Sequence, residues 1–120
     1  MQLLAQILVG LVAAIHLYIL VLEMFLWRSD RARSAFGTTR EFADASAVMA
    51  ANQGLYNGFL AAGLVWGLLA DDPVGFAVRV FFLGCVIVAG VYGAVTVSRR
   101  ILFVQVVPAG LALAAVLVAH

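Results

Sequence analysis

Residues 3–27 read LLAQILVGLVAAIHLYILVLEMFLW, a nearly unbroken apolar run. A helix needs about 20 predominantly apolar residues to cross a bilayer, so this run is long enough to span a membrane. It nevertheless contains His16 and Glu23. Ionisable groups are costly in hydrocarbon and mark functional sites by default. The segment therefore predicts both a membrane helix and a place to look for activity.

The composition of the whole chain agrees with a membrane protein. The 120 residues, enough for one domain, are 66% hydrophobic and 11% charged, whereas soluble domains are about a quarter charged. A net charge of +1 argues against nucleic acid, which needs a clustered basic surface. The lone Cys85 excludes an internal disulfide and a cysteine-based metal cage. We expect neither a metal nor another cofactor.

Four segments of the chain have the length and apolar character of membrane spans. None shows the two-residue alternation of a barrel strand, and the later connections are short, which favours antiparallel neighbours. The sequence thus predicts an all-α integral membrane four-helix bundle, forming a single domain over residues 1–120. The predicted spans are residues 3–27, 47–70, 74–97 and 101–119.

The distribution of arginine predicts the orientation. The connections 28–44 and 98–100 hold six of the seven arginines, whereas the connection between them carries Asp71 and Asp72. Positively charged loops stay in the cytoplasm, so both termini should lie outside a plasma membrane that the chain crosses several times. Arg79 is the exception, and we expect it to reach the interface or to pair with one of these two aspartates.

Polar side chains concentrate in the cytoplasmic half of the predicted bundle. At 1.5 Å per residue, Glu23 lies about 5 Å and His16 about 15 Å inside the cytoplasmic boundary. Polar residues of the other spans fall in the same half. We predict that they line a wet, hydrogen-bonding hollow that binds a ligand. The predicted ligand-binding residues are His16, Glu23, Asn52, Gln53, Tyr56, Asn57, Tyr92 and Gln105.

His16 and Glu23 are seven residues apart and share one helix face, but about 10 Å separates them along the axis. A link between them would run through Tyr56, Asn57 or water, an arrangement suited to proton movement or acid/base chemistry. Simpler roles stay open. Glu23 could pair with a loop arginine, the amides could join helices by hydrogen bonds, and the histidine could be structural.

Two local patterns concern the second span. Thr38-Thr39-Arg40-Glu41 reads as a capping box with Thr38 as the N-cap. Gly54 and Gly58 are spaced to allow close helix packing. The packing partner is either internal or a second copy of the chain. A homodimer through the small-residue faces of the second span is therefore one arrangement that we consider.

Three stretches carry a resemblance to a known family: HLYILVLEMFLW at 16–27, Phe36-Gly37, and ANQGLYNGF at 51–59. They resemble small bacterial and fungal membrane proteins of the family called domain of unknown function 1304. The resemblance implies four spans and, for a bacterial chain, the inner membrane. Small multidrug-resistance exporters are similar in architecture only. They have a proton-exchanging glutamate in the first span, but Glu23 lies closer to the cytoplasmic end.

These observations leave several functions open. The one we favour is a cytoplasm-facing intramembrane pocket that binds a small amphipathic or lipophilic molecule. An alternative is an intramembrane acid/base enzyme of isomerase or cyclase type, with His16 and Glu23 as its catalytic residues. A small proton-coupled exporter and a subunit that docks another membrane protein are the others. The partners that we consider from the sequence are the lipid bilayer, the ligand and a second copy of the chain.

Overall fold

The computed structural model describes all 120 residues, which form helices and no β-strand. A π-helical stretch, Leu102–Val106, leads directly into the last helix. The helices are α1 (Gln2–Met24), α2 (Asp30–Phe36), α3 (Arg40–Leu69), α4 (Val74–Thr96) and α5 (Val107–Ala119).

Three helical stretches are long and apolar enough to cross a membrane: α1, α4 and the continuous Leu102–Ala119. The all-α class and the membrane character of the chain are thereby supported. α3 is longer than any of them, with 30 residues, but its apolar part is interrupted by polar side chains. The four-helix bundle, its antiparallel order and the side on which the termini lie stay predictions.

The chain divides into two compact units. The first comprises residues 1–15 and 60–120, and the second comprises residues 16–59. The boundaries between the units fall inside α1 and α3, so one part of each of these helices belongs to the first unit and the other part to the second. The single-domain organisation predicted from the sequence stays a prediction.

The first unit has a core to which α1, α3, α4 and α5 all contribute. Val9, Leu64, Leu83 and Val86 are fully buried there, together with several alanines of α5. Lipid tails are as apolar as leucine, so helices in a membrane gain little from hydrophobic burial and depend on close packing. Gly90 illustrates this closeness, because a Cβ atom there would lie 2.7 Å from a methyl group of Val106.

The π-helical stretch has a local cause in Pro108. Proline lacks an N–H, and its ring collides with the carbonyl group four residues earlier. The backbone widens just before it, so that the Val107 N–H donates to the Leu102 carbonyl, five residues back. Widening of this kind lets a helix accommodate proline without ending.

Arg79 ties the end of α3 to the start of α4. One guanidinium nitrogen, Nη1, donates to the Gly67 carbonyl at 2.6 Å, and Nη2 lies 3.2 Å from Asp72 Oδ1. The same Asp72 oxygen accepts the Phe76 N–H at 2.9 Å in the first turn of α4. The expected pairing of Arg79 with one of the turn aspartates is confirmed, and it satisfies a carbonyl group that the helix end leaves free.

In the second unit, the connection after α1 contains a helix, α2, that we did not predict. The Ser29 hydroxyl caps its start by accepting the Ala32 N–H at 3.1 Å. Gly37 ends it with a φ of +68°, and its N–H donates to the Arg33 carbonyl. A left-handed residue at this position is a common helix stop, and glycine adopts it without a steric penalty.

The N-cap of α3 is Thr39. Its hydroxyl accepts the Phe42 N–H at 3.1 Å, whereas the Thr38 hydroxyl is buried without a hydrogen-bond partner. The capping role predicted for Thr38 is therefore wrong by one residue. The helix starts at Arg40, which makes Thr39 the residue whose side chain reaches the third N–H of the helix.

Candidate functional site

Glu23 and Asn57 form a buried polar pair in the second unit. Glu23 lies in the last turn of α1 and is 2% exposed, and Asn57 lies on α3 and is 8% exposed. Asn57 Nδ2 donates to Glu23 Oε1 at 2.7 Å and also to the Gln53 carbonyl at 3.2 Å. A carboxyl group removed from water is costly unless it is hydrogen-bonded, so Asn57 is what makes this position tolerable.

Two glycines allow this pair to form. A Cβ atom on Gly54 would lie 2.6 Å from Met24 Cγ and 3.1 Å from Glu23 Cβ, and one on Gly58 would lie 2.7 Å from a methyl group of Leu20. Distances this short would force the helices apart. The close approach of α1 and α3 thus depends on the absence of side chains at these positions. Gly54 and Gly58 face α1 of the same chain, and the predicted homodimer through α3 stays a prediction.

The segment after Glu23 is fastened to α3 by two polar contacts. Trp27 Nε1 donates to Ser46 Oγ at 3.1 Å, and Arg28 Nε lies 2.7 Å from Asp44 Oδ1. The Trp27 ring also packs against Phe36 at the end of α2, with centroids 5.0 Å apart. Residues 25–29 are therefore held as a strap across the end of α1.

Arg31 adds a further contact from α2 to α1. Its guanidinium group donates a hydrogen bond to the Tyr18 hydroxyl, and its central carbon lies 5.6 Å from the centre of that ring. A cation above an aromatic ring is attracted by the ring's negative face. This contact positions α2 near the end of α1, where the strap begins.

An open hollow of about 180 Å³ lies between the strap and the end of α1. Glu23 lines it, together with the whole strap and Ala47 of α3. Its walls are about equally polar and apolar, with Arg28 and Ser29 as further polar groups. Pockets for small molecules typically combine apolar walls with a few placed polar groups. Two residues with charged or ionisable side chains, Glu23 and Arg28, thus line the same hollow.

His16 is the third buried polar residue that we predicted, with no exposed surface. It lies in α1 within the second unit and takes part in an interaction of its own. Glu23 is seven positions further along, about 10 Å along the helix axis, so the two side chains do not bond directly. A catalytic role for either residue stays a prediction.

Three predicted ligand residues point elsewhere. Asn52, Gln53 and Tyr56 are exposed on α3, and Tyr56 packs edge-on against Phe59 at 6.0 Å. Asn52 Nδ2 donates to the Val48 carbonyl of its own helix at 2.9 Å. The structure thus brings Asn57 to Glu23 but leaves the side chains of these three exposed. Asn52 and Tyr56 lie about 140° and 100° from Asn57 around the helix, and Gln53 about 40°. Their role as ligand residues stays a prediction.

Tyr92 and Gln105 belong to the first unit. Tyr92 is 71% exposed on α4, and its carbonyl accepts the Thr96 hydroxyl at 2.7 Å. Gln105 lies in the π-helical stretch and is half-buried. It lies close to α4, because a Cβ atom added to Gly90 would be 3.1 Å from the Gln105 Cβ atom. The roles of Tyr92 and Gln105 as ligand residues stay predictions.

The sequence did not single out the residues that build the strap. The sequence indicates only that Trp27 is an aromatic residue at the membrane interface. The alternating charges of residues 28–44 do not predict which acid pairs with which arginine. One local feature does indicate the strap: Trp27 and Arg28 are adjacent at the end of the first span. Both side chains need hydrogen-bonding partners there, and the next helix can supply them. No three His, Cys, Asp or Glu side chains lie close enough together to hold a metal ion.

A second and much smaller hollow, of about 10 Å³, lies in the first unit. Gln2, Arg79 and His120 line it with several neighbours, and the His120 ring stacks on Phe76 at 3.7 Å. Arg79 is already engaged with Asp72 and a backbone carbonyl. The hollow beside Glu23 is the better candidate, because there a buried carboxyl group borders an open space.

Known protein families include one that matches most of this chain. The family model described as a protein of unknown function (DUF1304) matches residues 10–117. The chain belongs to the DUF1304 family. That match contains Glu23, Asn57, the strap and both glycines of the α1–α3 contact. The family resemblance expected from the sequence is thereby confirmed.

One relative of this DUF1304 protein is the uncharacterized protein YpaA of Lactococcus lactis subsp. lactis (strain IL1403). The two chains are 32% identical over 107 residues, which is 88% of this chain and 89% of the relative. No solved structure matches the chain. Together with the three apolar helices, membership of this family fits a small membrane protein.

Proposed function

We propose that the chain is a four-span protein of the bacterial plasma membrane, whose cytoplasm-facing hollow beside Glu23 binds a small amphipathic or lipophilic molecule. The observation that carries this proposal is the buried Glu23 carboxyl group, which is fixed by Asn57 and borders the hollow under the strap. A carboxyl group that only stabilised the fold would not need an open space beside it.

The proposal takes α3 as the fourth span. Its 30 residues correspond to about 45 Å, more than the roughly 30 Å of the hydrocarbon core. The first turns can therefore project into the cytoplasm. Asn57 is satisfied by Glu23, and Asn52 by its own helix, which lowers the cost of these amides in the membrane. With α3 included, the four helices form the antiparallel bundle.

The orientation rests on the charged connections. Three arginines lie between α1 and α3, and Arg40 is the first residue of α3. Arg99 and Arg100 lie after α4, whereas Asp71 and Asp72 follow α3. Keeping the basic connections in the cytoplasm puts both termini outside and the hollow on the cytoplasmic side. The relative from Lactococcus lactis makes a bacterial plasma membrane the natural location.

The lining of the hollow supports an amphipathic ligand. Phe25 and Leu26 offer apolar walls, and Glu23 and Ser29 offer hydrogen-bonding groups near the helix end. A ligand with an apolar tail and a hydrogen-bond-donating head would place the tail along the walls and the head at the carboxyl group. Entry from the interface requires no displacement of the buried core.

An acid/base enzyme is the second candidate, and the complete burial of His16 on the same helix as Glu23 favours it. In that case His16→Ala should abolish turnover and leave ligand binding intact. A proton-coupled exporter would instead show flux across the membrane that stops in Glu23→Gln. These readouts separate catalysis and transport from binding alone.

Native mass spectrometry of the protein, purified with its co-extracted lipids and metabolites, tests the proposal. We expect a retained small molecule on the wild-type chain and its loss in Glu23→Gln. Glu41→Gln is the matched control, because Glu41 is an exposed acid in the first turn of α3, away from the hollow. Wild-type protein that carries no small molecule, or equal retention by both variants, would contradict the proposal.

A further inference from the structure

A group of polar side chains lies on the part of the α3 surface that this chain leaves exposed. It consists of Asn52, Gln53 and Tyr56, which we call the outer amide face, and all three are exposed. At about 100° per residue, Asn52 and Tyr56 lie about 40° apart around the helix, and Gln53 lies about 60° beyond Tyr56. The three side chains therefore form one patch.

The hydrogen-bonding capacity of this patch is largely unused within the chain. Asn52 Nδ2 donates to the Val48 carbonyl, which leaves the Asn52 Oδ1 atom available. The Gln53 side chain and the Tyr56 hydroxyl form no hydrogen bond within the chain. If α3 spans the membrane as proposed, about 20 residues counted back from its end at Leu69 place the patch inside the hydrocarbon. Polar groups there need protein partners.

We propose that the outer amide face binds the same face of a second copy of this chain. An amide group is both donor and acceptor, so a two-fold axis that brings Gln53 opposite the partner's Gln53 satisfies both. Two copies inserted with the same orientation present α3 in parallel, with equal residues at equal depth. Two-fold dimers use one self-complementary patch in this way, and interhelical amide bonds are an established source of association in membranes.

The other side of α3 is not available for this contact. Gly54 and Gly58 lie against Met24, Glu23 and Leu20 of the same chain. A second copy that bound there would have to displace α1 and expose the Glu23 carboxyl group. Within the stretch of α3 that the proposal places in hydrocarbon, the outer amide face combines exposure with unused hydrogen-bonding groups.

Disulfide cross-linking in native membranes tests the dimer. In a Cys85→Ala background, Gln53→Cys places a thiol at the position proposed to face the same residue of the second copy. The matched control is Val95→Cys, on a side chain of α4 that is 81% exposed. We expect mild oxidation to convert Gln53→Cys to a product of twice the chain mass, at least tenfold more than the control. Equal yields, no product, or a product of another mass would overturn the proposal.

A second measurement separates loss of the contact from loss of the fold. The double variant Asn52→Leu/Gln53→Leu should raise the dimer dissociation constant about tenfold in lipid, since each interhelical polar bond contributes modestly. Thermal stability of the monomer should be retained, because both side chains are exposed. Gln6→Leu, at an exposed glutamine of α1, should leave the dissociation constant unchanged. A double variant that dimerises like the wild type would also overturn the proposal. Ligand retention beside Glu23 does not depend on this result, so the two proposals fail separately.

Discussion

Asn57 Nδ2 lies 2.7 Å from Glu23 Oε1, and the two residues are 34 positions apart in the sequence. Both side chains are buried, and the bond joins the end of α1 to the middle of α3. It connects the packing of the second unit with the hollow proposed as a ligand site. Changes to either partner should therefore affect both stability and binding.

Replacing Asn57 by leucine should destabilise the protein by about 2 kcal/mol, because the Glu23 carboxyl group is then buried without its donor. Reversible unfolding in mixed micelles measures this change. The double variant Glu23→Leu/Asn57→Leu should lose less than the sum of the two single variants, since removing both partners leaves nothing unpaired. Additive losses would show that the two side chains do not interact.

Replacing Gly54 by alanine should also destabilise the protein, by about 1–3 kcal/mol. The new Cβ atom would meet Met24 and Glu23 at distances that require the helices to separate. Gly10→Ala on α1 is the matched control, since no atom lies within 4 Å of a Cβ there. The control should be neutral or slightly stabilised, because alanine favours helix formation. Equal effects at both positions would argue against a close α1–α3 contact.

The Arg79 contact should be sensitive to shape as well as to charge. Arg79→Met removes the donors to Gly67 and Asp72 at once and should cost about 2 kcal/mol of unfolding free energy. Arg79→Lys keeps the charge but cannot reproduce both bonds, so an intermediate loss is expected. Arg40→Met, at an exposed arginine, should change stability by less than about 0.5 kcal/mol. No difference between Arg79→Met and Arg40→Met would contradict this account.

Loosening the strap should expose the connection between α1 and α3. Trp27→Phe retains an aromatic ring but loses the N–H that donates to Ser46, a change of about 1 kcal/mol. Trypsin should then cleave at the arginines of this connection about fivefold faster, because local opening becomes more frequent. Trp66→Phe serves as the control at an exposed tryptophan of α3. Unchanged cleavage in Trp27→Phe would mean that the strap is held by other contacts.

The sequence predicted the helices of this chain well, because length and apolar character are local properties. Counting residues along the helix axis matched Asn52 and Gln53 to the depth of Glu23 and put Asn57 between Glu23 and His16. The structure instead pairs Glu23 with Asn57. The sequence did not predict which way Asn52 and Tyr56 face. Rotation about the helix axis depends on which side packs, and a count along the axis carries no information about that.

The glycines of α3 nevertheless indicate which side of this helix packs against α1. Gly54 marks the packed side of α3, and Asn57 lies about 60° from it around the helix, whereas Asn52 and Tyr56 lie about 160° away. The angle from Gly54 around the helix therefore distinguishes the buried amide of Asn57 from the exposed amide of Asn52. The α2 helix was harder to predict, because seven residues give too short a pattern and its stability comes from the Ser29 and Gly37 caps.

The most direct test of the central claim is protection of Glu23 from a hydrophobic carbodiimide, mapped by peptide mass spectrometry with and without the co-purified molecule. We predict that Glu23 is modified in protein stripped of the molecule and protected when it is restored, while Glu41 reacts equally in both samples. Modification of Glu23 that is the same in both samples would contradict a ligand site beside this carboxyl group.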